Sequence, residues 1–293
     1  MDLSRRARWA LRAGSAITLA FLYAPLVVIA IYAFNTTRVQ QWPPPGLTLS
    51  WFSKALHNPG LFDALWASVR VGLGATAIAL VLGTLIAYAL ARLDFFGKNV
   101  LSFLVILPIA LPGVVTGMAL NTTFTQVLKV DLTLWTIVVA HATFCIVMVF
   151  NNVVARLRRT PVSLEDAAQD LGATPLQAFR DITFPQMRSA LLAGALLAFA
   201  LSFDEVIVTT FTAGDTQTLP IWILNNLSRP RNLPIVNVVA FLVVLLSIVP
   251  VYIAQRLSED VTAPGAAVRD IPADPDGARA VDRNVGRETG RAS

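Results

Sequence analysis

The chain has 293 residues, 55% hydrophobic and 14% charged, with a mean hydropathy of +0.64. A soluble domain carries about 25% charged residues, so this balance excludes one and makes a bilayer the solvent. The one cysteine, Cys145, lies in an apolar run, which excludes an internal disulfide and a cysteine-based metal or redox motif; the net charge of +5 is spread over the ends of apolar segments, which speaks for membrane topology and against nucleic acid.

A spanning helix needs about 20 mainly apolar residues. Six segments qualify, near 13–34, 65–91, 100–120, 133–154, 189–212 and 235–255, and predict an all-α integral membrane protein with six transmembrane helices. The first follows Arg5, Arg6, Arg8 and Arg12. Its apolar run is too long for a typical signal core and no small-x-small site closes it, so it is expected to stay as an anchor. Residues 1–64 then form a basic segment, the first span and an outer loop. In that loop Pro43, Pro44 and Pro45 favour an extended path, and Trp51 and Phe52 suit a membrane interface. Residues 65–256 form the core, with Pro108 and Pro112 expected to kink the third span and free backbone carbonyls. His141, in the fourth span, reads as a satisfied core group. Trp135 and Trp222 read first as interfacial anchors and second as stacking surfaces for an alkylammonium chain. Residues 257–293 are rich in Ala, Gly, Pro, Asp and Arg and read as a disordered cytoplasmic tail.

Lys and Arg fix the orientation. With the N-terminus inside, the cytoplasmic side holds Arg5, Arg6, Arg8, Arg12, Arg92, Lys98, Arg156, Arg158, Arg159, Arg180, Arg188 and Arg256. The other side holds Arg38, Lys54, Arg70, Lys129, Arg229 and Arg231. This excess places both termini in the cytoplasm. It also puts the polar loop at about 160–188 there.

That loop carries legible start and stop signals. Ser163, with Asp166 three residues on, is expected to form a capping box, and Gly172 to end the first short helix in the left-handed region. Thr174 and Pro175 start a second helix, and Pro185 marks a break before the fifth span. Ala167 and Ala168 are small enough to let another backbone approach, and the acidic residues beside them suit both the helix dipole and a basic partner.

The order Asp166, Ala167, Ala168, Gly172, Ile182, Pro185 resembles the coupling loop of ABC importer permeases, E-A-A-x3-G-x9-I-x-L-P, with every spacing kept. Asp166 stands where the pattern has Glu, and Phe184 where it has Leu. Glu165, one place earlier, offers the missing Glu. The resemblance, over residues 65–256, implies a type I permease fold in a bacterial inner membrane. It also implies a cytoplasmic ATPase dimer docked on Glu165, Asp166, Ala167, Ala168, Gly172, Ile182 and Pro185, a second permease subunit and an extracytoplasmic solute-binding protein. No G-x-x-x-x-G-K-[ST] occurs in the chain, so ATP hydrolysis is expected of the partner; no cofactor, metal or catalytic constellation is expected. The stretches GLTLSWFSKAL at 46–56, LSFDEVIVTTFTAG at 201–214 and TLPIWILNNLSRPRNLPIVNVV at 218–239 resemble spermidine/putrescine permeases. Relatives for ferric iron, phosphate or molybdate share the scaffold.

Asp204 and Glu205 lie about 14 residues into the fifth span, or roughly 21 Å deep at 1.5 Å per residue, just past the middle of a core about 30 Å thick. Ionisable groups at that depth usually face a cavity or pathway. Ser202, Glu205, Thr209 and Thr212 follow helical spacing and predict one polar stripe, with Asp204 about 100° away. One reading lines a cation path with Asp204, Glu205, Ser202 and Thr209; the other pairs the carboxylates with a neighbouring subunit for packing. An ion-coupled secondary transporter using the two acids as a relay is the alternative from another class; the absence of an obvious internal repeat gives it no support.

Overall fold

A computed structural model of the chain describes residues 4–229 and 232–262, with side chains described as far as Ile248. The expected tail, 257–293, lies from residue 263 onward outside the described residues. Among these residues the protein is all helix apart from one isolated antiparallel bridge, Asn35–Leu47. In chain order, α1 spans Arg5–Ala33, α2 Ser50–Leu56, α3 Pro59–Arg92, α4 Lys98–Ala110, α5 Gly113–Thr122 and α6 Leu134–Leu157. Then come α7 at Ser163–Asp170, α8 at Pro175–Ala178, α9 at Phe184–Phe203, α10 at Ile207–Thr212, α11 at Leu219–Leu227 and α12 at Leu233–Thr262.

Helices α1, α3, α6 and the run Pro175–Phe203 are each long and apolar enough to cross a bilayer, and α4 with α5 forms a fifth, bent unit. The sixth expected span falls on α12, apolar over Leu233–Ile248. Most of α1 is exposed, as befits an apolar helix facing lipid or another subunit.

The third span bends by 104° between α4 and α5. Proline chemistry explains where. Pro112 has no N–H to continue the ladder and pushes Leu111 into an extended conformation (φ −83°, ψ 143°). Pro108, in contrast, stays within α4.

The core is the packing of α6 between α3 and α9. Buried Ala75, Ala79 and Ala87 of α3 and Ala198 of α9 keep these helices close to Phe144, Val149 and Val153 of α6. Two glycines set the closest approach. A Cβ at Gly83 would stand 2.9 Å from the Ile146 carbonyl oxygen, and one at Gly194 would stand 3.1 Å from the Val149 Cα. Small residues serve here because lipid supplies no hydrophobic drive and helices associate by close van der Waals contact.

A second cluster joins α2, α11, the end of α1 and the starts of α3 and α12. Trp51 is buried there and donates Nε1–H to the Asn35 carbonyl at 2.9 Å. Trp222 is buried in the same cluster. The expected interfacial role is therefore corrected for both tryptophans: each fills a core whose partners lie far apart in sequence. Trp135 remains exposed.

Candidate coupling surface and membrane carboxylates

The loop after α6 folds as its turn chemistry dictates, with one change at its start. Val162, not Ser163, is the N-cap of α7; Ser163 lies inside the first turn and makes no capping bond. At the other end Gly172 is left-handed (φ 91°), its N–H reaching the Gln169 carbonyl at 2.9 Å while Ala173 N–H reaches the Ala168 carbonyl at 3.0 Å. This pair of bonds is a Schellman turn. Thr174 and Gln177 form a reciprocal capping box at α8, with Pro175 in the first turn. Pro185 does not break the chain: α8, a π-helical turn at Phe179–Thr183 and α9 run on as one apolar unit from Pro175 to Phe203. Proline is tolerated there because it occupies the first turn of α9.

The two neighbouring acids of α7 face opposite ways. Glu165 is 7% exposed and meets Arg92 at 2.9 Å, with the Tyr88 hydroxyl donating to its other oxygen at 3.5 Å. Arg92 also donates to the Leu157 and Thr160 carbonyls at 3.4 and 3.3 Å. One guanidinium therefore gathers the ends of α3 and α6, the linker and α7. Sequence reading counted Arg92 only as a topology charge, since nothing local links it to a loop so far away. Asp166 and Ala167 are exposed and Ala168 half-buried. Beside them Leu164, Leu171 and Leu176 are exposed, Leu171 by 91%. Ile182 and Pro185 are half-buried at the base of this surface.

The fifth span is not one helix. It stops at Phe203 and restarts at Ile207, so the expected continuous stripe from Ser202 to Thr212 is corrected to two half-helices joined by Asp204–Val206. No glycine or proline marks the break; the Glu205 carboxylate stabilises it by accepting from Val208 N–H at 3.0 Å, at the start of α10. Asp204 is exposed and Glu205 half-buried, and neither forms an ion pair among the described residues.

Ser202 and Thr209 flank the break and are 3% and 0% exposed. His141 of α6 lies between them, Nδ1 2.8 Å from the Ser202 hydroxyl and Nε2 2.9 Å from that of Thr209. Satisfied as expected, His141 thus supports the break from behind. In this conformation the accessible polar groups of the break are the two carboxylates. Their half-helix α10 is held further by Asn121 of α5, which donates to the Phe211 carbonyl at 2.6 Å, and by the Thr136 hydroxyl, whose one hydrogen is shared between the Thr133 carbonyl at 2.6 Å and the Thr212 carbonyl at 2.8 Å.

Residues 79–262 match the family described as a binding-protein-dependent transport system inner membrane component. The putrescine transport system permease protein PotI of Escherichia coli (strain K12) is 35% identical over 231 residues, covering 76% of this chain and 81% of that protein. The spermidine/putrescine transport system permease protein PotC of the same strain is 32% identical over 245 residues, 83% and 91% of the two chains. A putative 2-aminoethylphosphonate transport system permease protein, PhnV of Salmonella typhimurium, is 32% identical over 257 residues, 84% and 94% of the two. Among solved structures, a bacterial ABC transporter involved in the import of alginate shares the fold, with a TM-score of 0.67 and 17% identity over 89% of this chain and 99% of that one.

Proposed function

Since the chain belongs to the family of binding-protein-dependent inner-membrane transport components, a multi-pass transport subunit and not an enzyme, we propose that it carries polyamines inward as one permease subunit of an ATP-driven importer. The observation that carries the substrate reading is the break at Asp204–Val206. Two carboxylates near mid-span, without an ion-pair partner among the described residues, suit a passing di- or triammonium ion. An oxyanion would need guanidinium or backbone donors there. In this reading Asp204 and Glu205 face the path, and Ser202 and Thr209 form its supporting wall through His141. The likeness to putrescine and spermidine permeases supports the same class.

The partners follow from the surfaces. Asp166, Ala167, Leu171 and Leu176 offer an acidic residue beside exposed apolar groups, suited to a cleft on a cytoplasmic ATPase dimer. A second permease subunit completes the pore and covers the exposed faces of the spans. A solute-binding protein delivers substrate from outside, where the bulk of the 35–64 segment lies. Both termini are cytoplasmic in this arrangement, following the Lys and Arg excess.

The likeness to a putative 2-aminoethylphosphonate permease favours a second reading, in which the substrate is a smaller amine that also carries a phosphonate. ATP hydrolysis by the complete complex in nanodiscs separates the two. Stimulation by binding protein loaded with putrescine or spermidine supports the polyamine reading. Stimulation by 2-aminoethylphosphonate alone overturns it.

A further inference from the structure

We infer that His141 is a positioning residue that latches the two halves of the fifth span together across their break and so sets where the Asp204–Glu205 carboxylates stand. This inference rests on the coupled-permease reading above.

The bonding leaves little freedom in how the latch works. The Thr209 hydroxyl donates its hydrogen to the Glu205 carbonyl at 2.7 Å, so it accepts from His141 and the hydrogen resides on Nε2. Nδ1 then accepts from the Ser202 hydroxyl. One neutral imidazole thereby bridges the last turn of α9 and the first turn of α10, spanning a break that has no main-chain helical ladder of its own.

Both sides of the bridge are held to α6, and they lead to different parts of the chain. Helix α10 is tied to α5 and α6 through Asn121 and Thr136. Helix α9 continues without a break into the coupling segment that begins at Pro175. At 1.5 Å per residue that unit is a rod about 43 Å long, with the docking surface at one end and Ser202 at the other. A force on the rod reaches Ser202 and Asp204 at its far end, where His141 passes it across the break to Thr209 of α10. Side chains of α6 hold α9 at three levels, Arg156 to the Gln186 carbonyl at 2.8 Å, Cys145 to the Ala198 carbonyl at 3.3 Å and His141 to the Ser202 hydroxyl, and of the three His141 is the one that also reaches α10. The carboxylates sit in the hinge itself.

The test uses the complete transporter in proteoliposomes. His141→Phe keeps the ring volume and removes both bonds; His141→Gln keeps one donor and one acceptor. His141→Phe should lower the amount of substrate moved per ATP hydrolysed by about tenfold, the scale set by leaving the buried Ser202 hydroxyl without its acceptor. Stimulated hydrolysis itself should persist, and His141→Gln should recover most of the ratio. A merely structural role would lower uptake and hydrolysis together and leave the ratio unchanged, which would overturn the inference. Should His141→Phe fail to insert, Ser202→Ala removes one side of the bridge alone and should shift the ratio in the same direction.

A second readout is independent of substrate identity. Spin labels at Leu197 and Thr210, both exposed, in a Cys145→Ala background report the distance across the break. The otherwise unmodified chain should give a single narrow distribution that moves between nucleotide-free and ATP-trapped states. His141→Phe should broaden it. Superimposable distributions would overturn the latch whatever the substrate proves to be, and failure of polyamine uptake alone would count only against the substrate reading.

Discussion

Arg92 and Glu165 lie 73 positions apart and meet at 2.9 Å, their side chains 7% and 9% exposed. The pair joins the polar loop after α6 to the end of α3, so in the proposed coupling role a force on α7 is passed to the bundle and not absorbed by the loop. Its consequence is a division of labour: Glu165 holds the loop, and Asp166, one residue on, is presented outward.

Breaking that pair from one side should therefore destabilise strongly. Arg92→Met leaves Glu165 buried without its cation, a change worth about 3–5 kcal/mol, whereas Arg92→Met with Glu165→Leu should recover much of it. Thermal unfolding of the detergent-solubilised complex measures both; equal losses for the single and double variants would show that the pair does not make this join.

The outward face should be sensitive to charge and bulk while the fold is not. Asp166→Arg with Ala168→Trp is expected to abolish ATP-dependent uptake with normal membrane insertion, checked by co-purification of the ATPase subunit. Retained uptake together with retained co-purification would remove the coupling assignment.

Glu205→Gln separates charge from structure. A glutamine still has a side-chain oxygen to accept from Val208 N–H, so the start of α10 keeps its cap while the negative charge goes. Cation uptake should fall by about tenfold or more at unchanged protein level, the magnitude of losing one charge contact in a low-dielectric path. An unchanged apparent affinity and rate would assign Glu205 to packing.

Close helix approach should tolerate no added bulk. At Gly83 a Cβ meets a backbone oxygen at 2.9 Å, which a side-chain rotation cannot relieve. Gly83→Val is expected to cost about 1–3 kcal/mol and to separate α3 from α6. At Gly14 a new Cβ meets nothing within 4 Å, so Gly14→Val should be close to neutral by the same unfolding measurement.

Local chemistry was legible in the sequence and remote pairing was not. Gly172, Thr174 and Pro175 announced their turn, and Pro112 its bend, because backbone restrictions act on neighbours. Ser163 misled: its spacing from Asp166 fits a capping box, but the first turn of α7 starts one residue earlier, with Glu165 drawn inward to Arg92. The break at Asp204–Val206 also stayed hidden. Ser202, Glu205, Thr209 and Thr212 keep helical spacing with no glycine or proline between them, and what holds the two halves is His141, some 60 residues upstream. Trp222 was misplaced for the same reason, its core being assembled from five separate helices.

The central claim is best tested by ATP-dependent uptake of labelled putrescine and spermidine into vesicles carrying the complete transporter, beside 2-aminoethylphosphonate, phosphate and ferric iron. The account predicts saturable polyamine uptake that disappears without ATP and falls with Glu205→Gln. Uptake of one of the other solutes, with polyamines left outside, would contradict it.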